Sequence, residues 1–295
     1  MYAYNLAQLR SSFASIIRDH TTSEAYAWLI EKVSSLQRIN QFNTIFVTLP
    51  RKTGKAAIDL TKDQSDSINI IRPKLVLKNW TTDRLARVWL LLHVDPSDSE
   101  KYFRNIETLF LAAEVNELVA LYSALPLFAY QEKWTARCSE GIRNNIGDVL
   151  KAIMCNNPYP SENLNESAWN QMVLKAFFTE KPVEEIIGLD ERANERLAKT
   201  LSDYAHERWA AHRQVNPLLW RCVGPFINEQ FLPDIEKLSA SDNKLEKDAA
   251  ALAVYHSNYS PAKKLLSESA KGEIDNKKLS WKILAEKTNE YVLQQ

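Results

Sequence analysis

The chain has 295 residues, with 37 basic and 37 acidic side chains, 8 tryptophans and only 6 glycines. Globular proteins use glycine at about 7%, and a chain this poor in it is excluded from architectures that need backbone at positive φ: glycine-rich phosphate loops, hairpin-linked sandwiches and dinucleotide-binding βαβ units. Zero formal charge gives no global field to collect nucleic acid or an anionic membrane. The three widely spaced cysteines, Cys138, Cys155 and Cys222, form neither a disulfide framework nor a Cys-x-x-Cys knuckle, as in proteins of a reducing compartment.

The first ten residues carry neither a basic leader nor an apolar stretch before a small-residue cleavage site. The longest strongly apolar run, Val88 to Leu92, is far short of the ~20 residues that span a bilayer, so a cytoplasmic protein is expected. Apolar residues recur at helical spacing. They predict helices over about 5–18, 22–38, 81–94, 98–113, 117–125, 131–156, 166–180, 190–213, 217–240 with a break near Gly224-Pro225, 242–257, 261–271 and 277–293. Capping boxes at Thr21 to Glu24 and Ser97 to Glu100, and a capping side chain before proline at Asn216-Pro217 and Ser260-Pro261, mark four of the starts. Phe42 to Leu49 and Leu75 to Leu77 lean towards strand in composition, and residues 50–79 read as an extended, partly irregular connection. Its polar centre, Thr61 to Ser67, is either a mobile excursion or a set of short helical turns.

A succession of helices on short loops predicts an all-α fold, an irregular right-handed helical solenoid or α-α superhelix. The stripe Leu245, Ala249, Leu252, Ala253, the break at Ser260-Pro261 and the stripe Leu265, Leu266, Ala270 make 242–270 a HEAT-like unit. The expected organisation is one continuous structure: N-terminal helices and irregular connection over 1–79, a helical array over 80–271, and a C-terminal helix over 272–295.

Few residues advertise chemistry. Arg51-Lys-Thr-Gly-Lys55 lacks the earlier glycine and the following hydroxyl of a phosphate loop, and reads as a solvated basic turn. In the 190–213 helix, Asp203, His206 and Glu207 share one face at offsets of three and four. No second carboxylate-x-x-His helix accompanies them, so ion pairing is favoured over a metal site. The 166–180 helix reads as buried nearly all round, with Gln171 and Lys175 as a narrow polar stripe facing a partner such as Asp203 or Glu207, or a ligand. Cys138, Cys222 and the tryptophans read as core. Asp-rich metal motifs and a Gly-x-Ser-x-Gly elbow are absent, and no cofactor is expected.

Several motifs in consistent order carry a resemblance: Glu140-Gly-Ile-Arg143-Asn144, Asn157-Pro-Tyr-Pro160, Trp169 to Ala176, Gly188-Leu-Asp190 with Arg192-Ala-Asn194, Asp203 to Trp209, and Leu219 to Phe226. Over roughly 80–271 the chain resembles the EboA family. The resemblance implies a bacterial gene cluster shared with a UbiA-type prenyltransferase and several enzyme-like proteins, and a link to moving a secondary-metabolite precursor. It assigns no catalytic residue. It draws attention to Arg143, Asn144, Asn170, Lys175, Asp190, Arg192, His206, Glu207 and Arg208, to which the residue reading adds Gln171 and Asp203. The expected function is a non-catalytic adaptor or ligand holder, whose partners are proteins of the same cluster or a small metabolite. The rival is an enzyme using Asp203, His206, Glu207 and Lys175, with or without a metal, on a phosphorylated or polyol-type metabolite. The glycines add one expectation: Gly141 and Gly147, on one helix, mark close approach by a neighbour.

Overall fold

The computed structural model describes residues 2–35 and 39–293. Among these residues it is all-helical, without a strand, and it divides into two compact units, Met1–Asn165 and Glu166–Gln295.

The first unit holds α1 (Leu6–Asp19), α2 (Ser23–Ser34), α3 (Ile39–Thr53), α4 (Lys62–Ile71), α5 (Thr82–Leu91), α6 (Ser99–Ala112), α7 (Val115–Ser123), α8 (Thr135–Arg143), α9 (Gly147–Met154) and α10 (Tyr159–Asn163). Its axis is α5, buried on almost every side and packed on α1, α3 and α7; α7 in turn packs on α9. Trp134 is fully buried among Tyr102, Phe103, Phe110 and Phe128, and its indole N–H donates to the Ala129 carbonyl at 2.9 Å. The ring thus buries its area without stranding its donor.

The second unit holds α11 (Glu166–Phe178), α12 (Glu195–Ala210), α13 (Trp220–Val223), α14 (Leu232–Ala240), α15 (Lys244–His256), α16 (Ser260–Lys263), α17 (Glu268–Asp275) and α18 (Trp281–Leu293). Here α15 is central, packed on α13, α14 and α18. Gly224 lies so close to it that a Cβ would come within 2.9 Å of the Ala253 Cα, which explains a glycine at that break.

Several expectations are corrected. Phe42 to Leu49 lies in α3, not a strand. Phe42, Ile45, Phe46 and Leu49 fall at helical spacing and are all buried, and burying that stripe outweighs β-branched composition. The connection 50–79 contains a full helix, α4, started by a capping box between Thr61 and Gln64. The 131–156 helix is two helices. The Asn144 side chain accepts from the Ile146 N–H at 2.9 Å, a local turn that competes with the helix, so Ile146 stands outside α8 and Gly147 opens α9. The 261–271 helix is likewise broken, because the Ser267 hydroxyl caps a new start. Three cap positions shift by one: Thr22 caps α2, Asp98 caps α6, and Tyr259 rather than Ser260 precedes α16. Asn216 caps as expected. Residues 36–38 of the predicted 22–38 helix lie outside the described residues.

Glycine is scarce even where helices end. Among the described residues, seven that are not glycine take left-handed backbone, including Glu180 (φ 53°), His212 (φ 53°) and Lys277 (φ 57°). Past each, an amide returns five residues to a carbonyl: Lys181 to Ala176, Arg213 to Arg208 and Lys278 to Glu273. These are Schellman turns that usually employ glycine.

One half-buried group makes stability pH-dependent. His93 donates through Nδ1 to the Trp89 carbonyl at 2.9 Å and sits against the Trp89 ring, and burial lowers its pKa to about 4. The unfolded chain binds this proton near pH 6.5 and the folded protein only near 4. Stability is therefore lost as pH falls through that window and the loss levels off below it. Urea unfolding across that range, compared with His93→Asn, is expected to show a steeper acid limb in the unsubstituted protein; parallel curves would refute this.

Candidate functional site

In the first unit the motif residues hold the structure together. Gly141 in α8 lies against the Tyr122 ring of α7 and against Ile153 of α9. Asn157 donates to the carbonyls of Tyr122 (3.1 Å) and Ala152 (2.9 Å) and accepts from the Tyr159 N–H, while the Tyr159 hydroxyl donates to the Gln131 carbonyl at 2.7 Å. Arg143 is exposed at the end of α8, and Asn144 makes the turn after it. The close approach expected at Gly141 is present; Gly147 is exposed.

In the second unit another set of motif residues braces the start of α12. Asn170 of α11 and Asn194 exchange amide hydrogen bonds of 3.0 and 2.9 Å, and the same Asn194 oxygen caps α12 by accepting from the Leu197 N–H. Upstream, Gly188 takes φ 83°, Asp190 forms a bidentate pair with Arg221 (both bonds 2.6 Å), and the Arg192 guanidinium lies 4.7 Å above the buried Trp169 ring. Asn194→Ala removes a cap and an amide pair together, so a loss of about 1–2 kcal/mol in unfolding free energy is expected by chemical denaturation.

The exposed face of α12 divides its residues. Asp203 pairs with Lys199 one turn back, and Glu207 is exposed. His206, half exposed, meets a carboxylate that local spacing does not reveal. Its Nε2 lies 2.6 Å from Oδ1 of Asp234 on α14, a buried carboxylate whose other oxygen accepts from the Ser202 hydroxyl at 2.7 Å. Lys237, one turn on, sits 3.7 Å above the Trp209 ring, which stacks on buried Trp220. On α11, Gln171 is exposed and Lys175 partly buried, and burial lowers the ammonium pKa. The all-round burial expected for this helix is corrected. Trp169, Met172, Val173, Ala176 and Phe177 form one buried face, and Phe178 is 70% exposed, because apolar neighbours cover only one side. Cys138 and Cys222 are buried, and burial pushes both thiols up, Cys222 to about 12.

The two Schellman turns after α11 and α12 contribute to one cleft of about 430 Å³ within the second unit. Its apolar surface comes from Phe177, Tyr204, Val215, Pro217 and Leu245. Arg208 and Lys181 supply its cations: Arg208 Nε donates to the Gln214 carbonyl at 2.9 Å and Lys181 Nζ to the Thr179 carbonyl at 3.1 Å. Its carboxylates are Glu180, Glu184, which accepts from Asn289, and Glu246, which accepts from the Ser241 hydroxyl. Of the expected site residues, Arg208 lines this cleft, while Gln171, Lys175, Asp203 and His206 do not. Such a volume and mix of surfaces suit a small organic molecule. A second cleft, of about 470 Å³, lies in the first unit between the start of the 57–60 segment, α4 and Leu75 to Asn79.

Among the described residues no group of three or more His, Cys, Asp and Glu side chains is placed to hold a metal ion, and no helix is long and apolar enough to cross a membrane. The features define an all-helical protein with a polar and apolar cleft in its second unit. The family model described as metabolite traffic protein EboA matches residues 9–224, and the chain belongs to the EboA family. The match takes in the N-terminal helices that the sequence motifs did not reach and ends at Gly224. No curated protein and no solved structure matches the chain.

Proposed function

We propose that this protein is a non-catalytic helical-repeat carrier or adaptor that holds a small metabolite for a bacterial secondary-metabolite pathway, working in the cytoplasm beside the products of its gene cluster. Membership in a family described by metabolite traffic carries the reading. The stacking of every second helix in the first unit, α3 on α5, α5 on α7 and α7 on α9, supports the solenoid part of it, with 242–270 as its HEAT-like portion. The cleft of the second unit supports the holding part. Native mass spectrometry of full-length protein purified from its own host, with pull-downs of the neighbouring gene products, is expected to show a retained small molecule or a partner. Finding neither would refute it.

One geometry favours a second reading, an enzyme acting on a phosphorylated or polyol-type metabolite. A buried carboxylate bonded to one imidazole nitrogen orients the ring and leaves the other nitrogen available for proton transfer, and His206 has that relation to Asp234. Turnover of such compounds that disappears in His206→Gln would establish this reading over the first.

A further inference from the structure

The second-unit cleft has an uneven distribution of unused donors. Arg208 spends only Nε, on the Gln214 carbonyl, and has no carboxylate partner; its two terminal amino groups make no hydrogen bond among the described residues. Among the described residues Lys181 likewise has one backbone acceptor and no carboxylate. The Tyr204 hydroxyl, which lines the same cleft, makes no hydrogen bond among the described residues. In the first unit, Arg72 is paired with Glu162 and Arg137 with Glu107 and Glu140, whereas Arg10 and Arg84 give their Nε to neutral acceptors, the Leu92 carbonyl and the Ser123 hydroxyl. The nearby carboxylates Glu184 and Glu246 are occupied by Asn289 and Ser241. A guanidinium held by its Nε points a planar pair of donors outward, the geometry that accepts a carboxylate through two parallel bonds. Beside it, Phe177, Val215 and Leu245 offer apolar surface but no further charge.

We propose that this cleft binds monoanionic amphipathic molecules, with a carboxylate received by Arg208, assisted by Lys181 and Tyr204, and an apolar or aromatic body laid on Phe177, Val215 and Leu245. The inference rests on the ligand-holding reading and adds the chemical class. The cationic wall lies inside the family-matched segment, whereas Leu245 and Asn289 lie beyond it. The head-group site therefore belongs to the family portion of the chain and the body site is shared with the part that follows. Three carboxylates against two cations line the cleft, which favours a single negative charge over a phosphate dianion.

The test compares cinnamate and octanoate with their uncharged amides, cinnamamide and octanamide, by calorimetry and ligand-observed NMR on the full chain. Both acids are expected to bind better than their amides. Arg208→Gln is expected to weaken the acids by about tenfold to a hundredfold, the range of a charge-assisted hydrogen-bond pair, while leaving the amides unchanged. Leu245→Trp fills the body site from the other wall and is expected to weaken acids and amides alike, which keeps the test decisive if Arg208→Gln folds poorly. Acids and amides binding equally, with Arg208→Gln silent, would overturn the anion assignment and leave the ligand-holding reading standing. Absence of binding by all four probes, or binding that Leu245→Trp does not touch, would overturn the cleft assignment itself.

Discussion

Arg87→Met is expected to lower the unfolding free energy by about 3–5 kcal/mol, the range for removing one member of a buried ionic network. Arg87 is 3% exposed at the middle of α5. Its Nη1 lies 2.7 Å from Asp83 one turn earlier, its Nη2 lies 3.7 Å from Glu117 on α7, and its Nε donates at 3.0 Å to the Phe46 carbonyl on α3. One side chain thus joins three helices of the first unit. Burial lowers the guanidinium pKa, and the two carboxylates act in the opposite direction. Methionine would fill much of the volume and leave Asp83 and Glu117 buried without the cation that pairs with both, although Asp83 keeps its electrostatic attraction to Arg84. Each retains a neutral donor, Thr81 to Asp83 and the Glu114 N–H to Glu117, which limits the loss without removing it. The deficit should shrink in acid, because orphaned carboxylates take up protons more readily when buried. Urea denaturation at neutral and mildly acidic pH measures both. A deficit below about 1 kcal/mol, or one that grows in acid, would contradict the argument.

How far the fold was legible follows from which forces act locally. Helical periodicity is imposed by the chain's own geometry, and so the succession of helices stands in the sequence. Where it misled, a second local signal competed. The β-branched Ile45 and Val47 make the middle of α3 resemble a strand, yet the buried set is spaced by threes and fours, and Val47, off that set, is 56% exposed. Asn144 interrupted an apolar stripe that ran on regardless, because a side-chain turn leaves no mark in periodicity. Caps slipped by one residue because neighbouring hydroxyls and carboxylates can all accept from the same amides, and only the backbone angle chooses between Thr21 and Thr22.

The candidate site was legible one helix at a time. Spacing put Asp203, His206 and Glu207 on one face, and they are on it, but the group that engages His206 is Asp234, 28 residues away on another helix. A signal existed in Pro233-Asp234 at a helix start, though a carboxylate there reads first as a partner of its own helix. The motifs fared similarly. Asn170, Asp190, Arg192 and Asn194 are separated in sequence, and their joint work, bracing the entrance to α12, exists only once the loop has closed. The cleft drew on Lys181, which no local pattern distinguishes, and on Leu245, which its spacing marks only as part of a packing stripe, because cavity walls come from segments whose spacing is set by packing.

Gly141→Ala and Gly272→Ala, the same chemical change, are expected to have opposite signs. Both glycines are helical, in α8 and α17, where replacing glycine by alanine gains up to about 1 kcal/mol from propensity alone. A Cβ on Gly272 would meet nothing within 4 Å, so that gain should appear intact as added stability. A Cβ on Gly141 would stand 2.5 Å from the Tyr122 ring and 2.6 Å from the Ile153 Cδ1. Ile153 is fully buried and can give little. Tyr122 is buried too, stacks edge-on to Phe110, and its backbone carbonyl is fixed by Asn157. Relief requires α8 to move from α7 and α9, and overpacking of this kind costs about 1–3 kcal/mol, with contacts this short placing it at the upper end. A net loss of about 2 kcal/mol is therefore expected for Gly141→Ala, beside a gain of up to about 1 for Gly272→Ala. Unfolding curves of the two variants, run side by side, decide it. Equal shifts would mean that helix propensity alone governs both positions and that α8 is not held at van der Waals contact through its glycine.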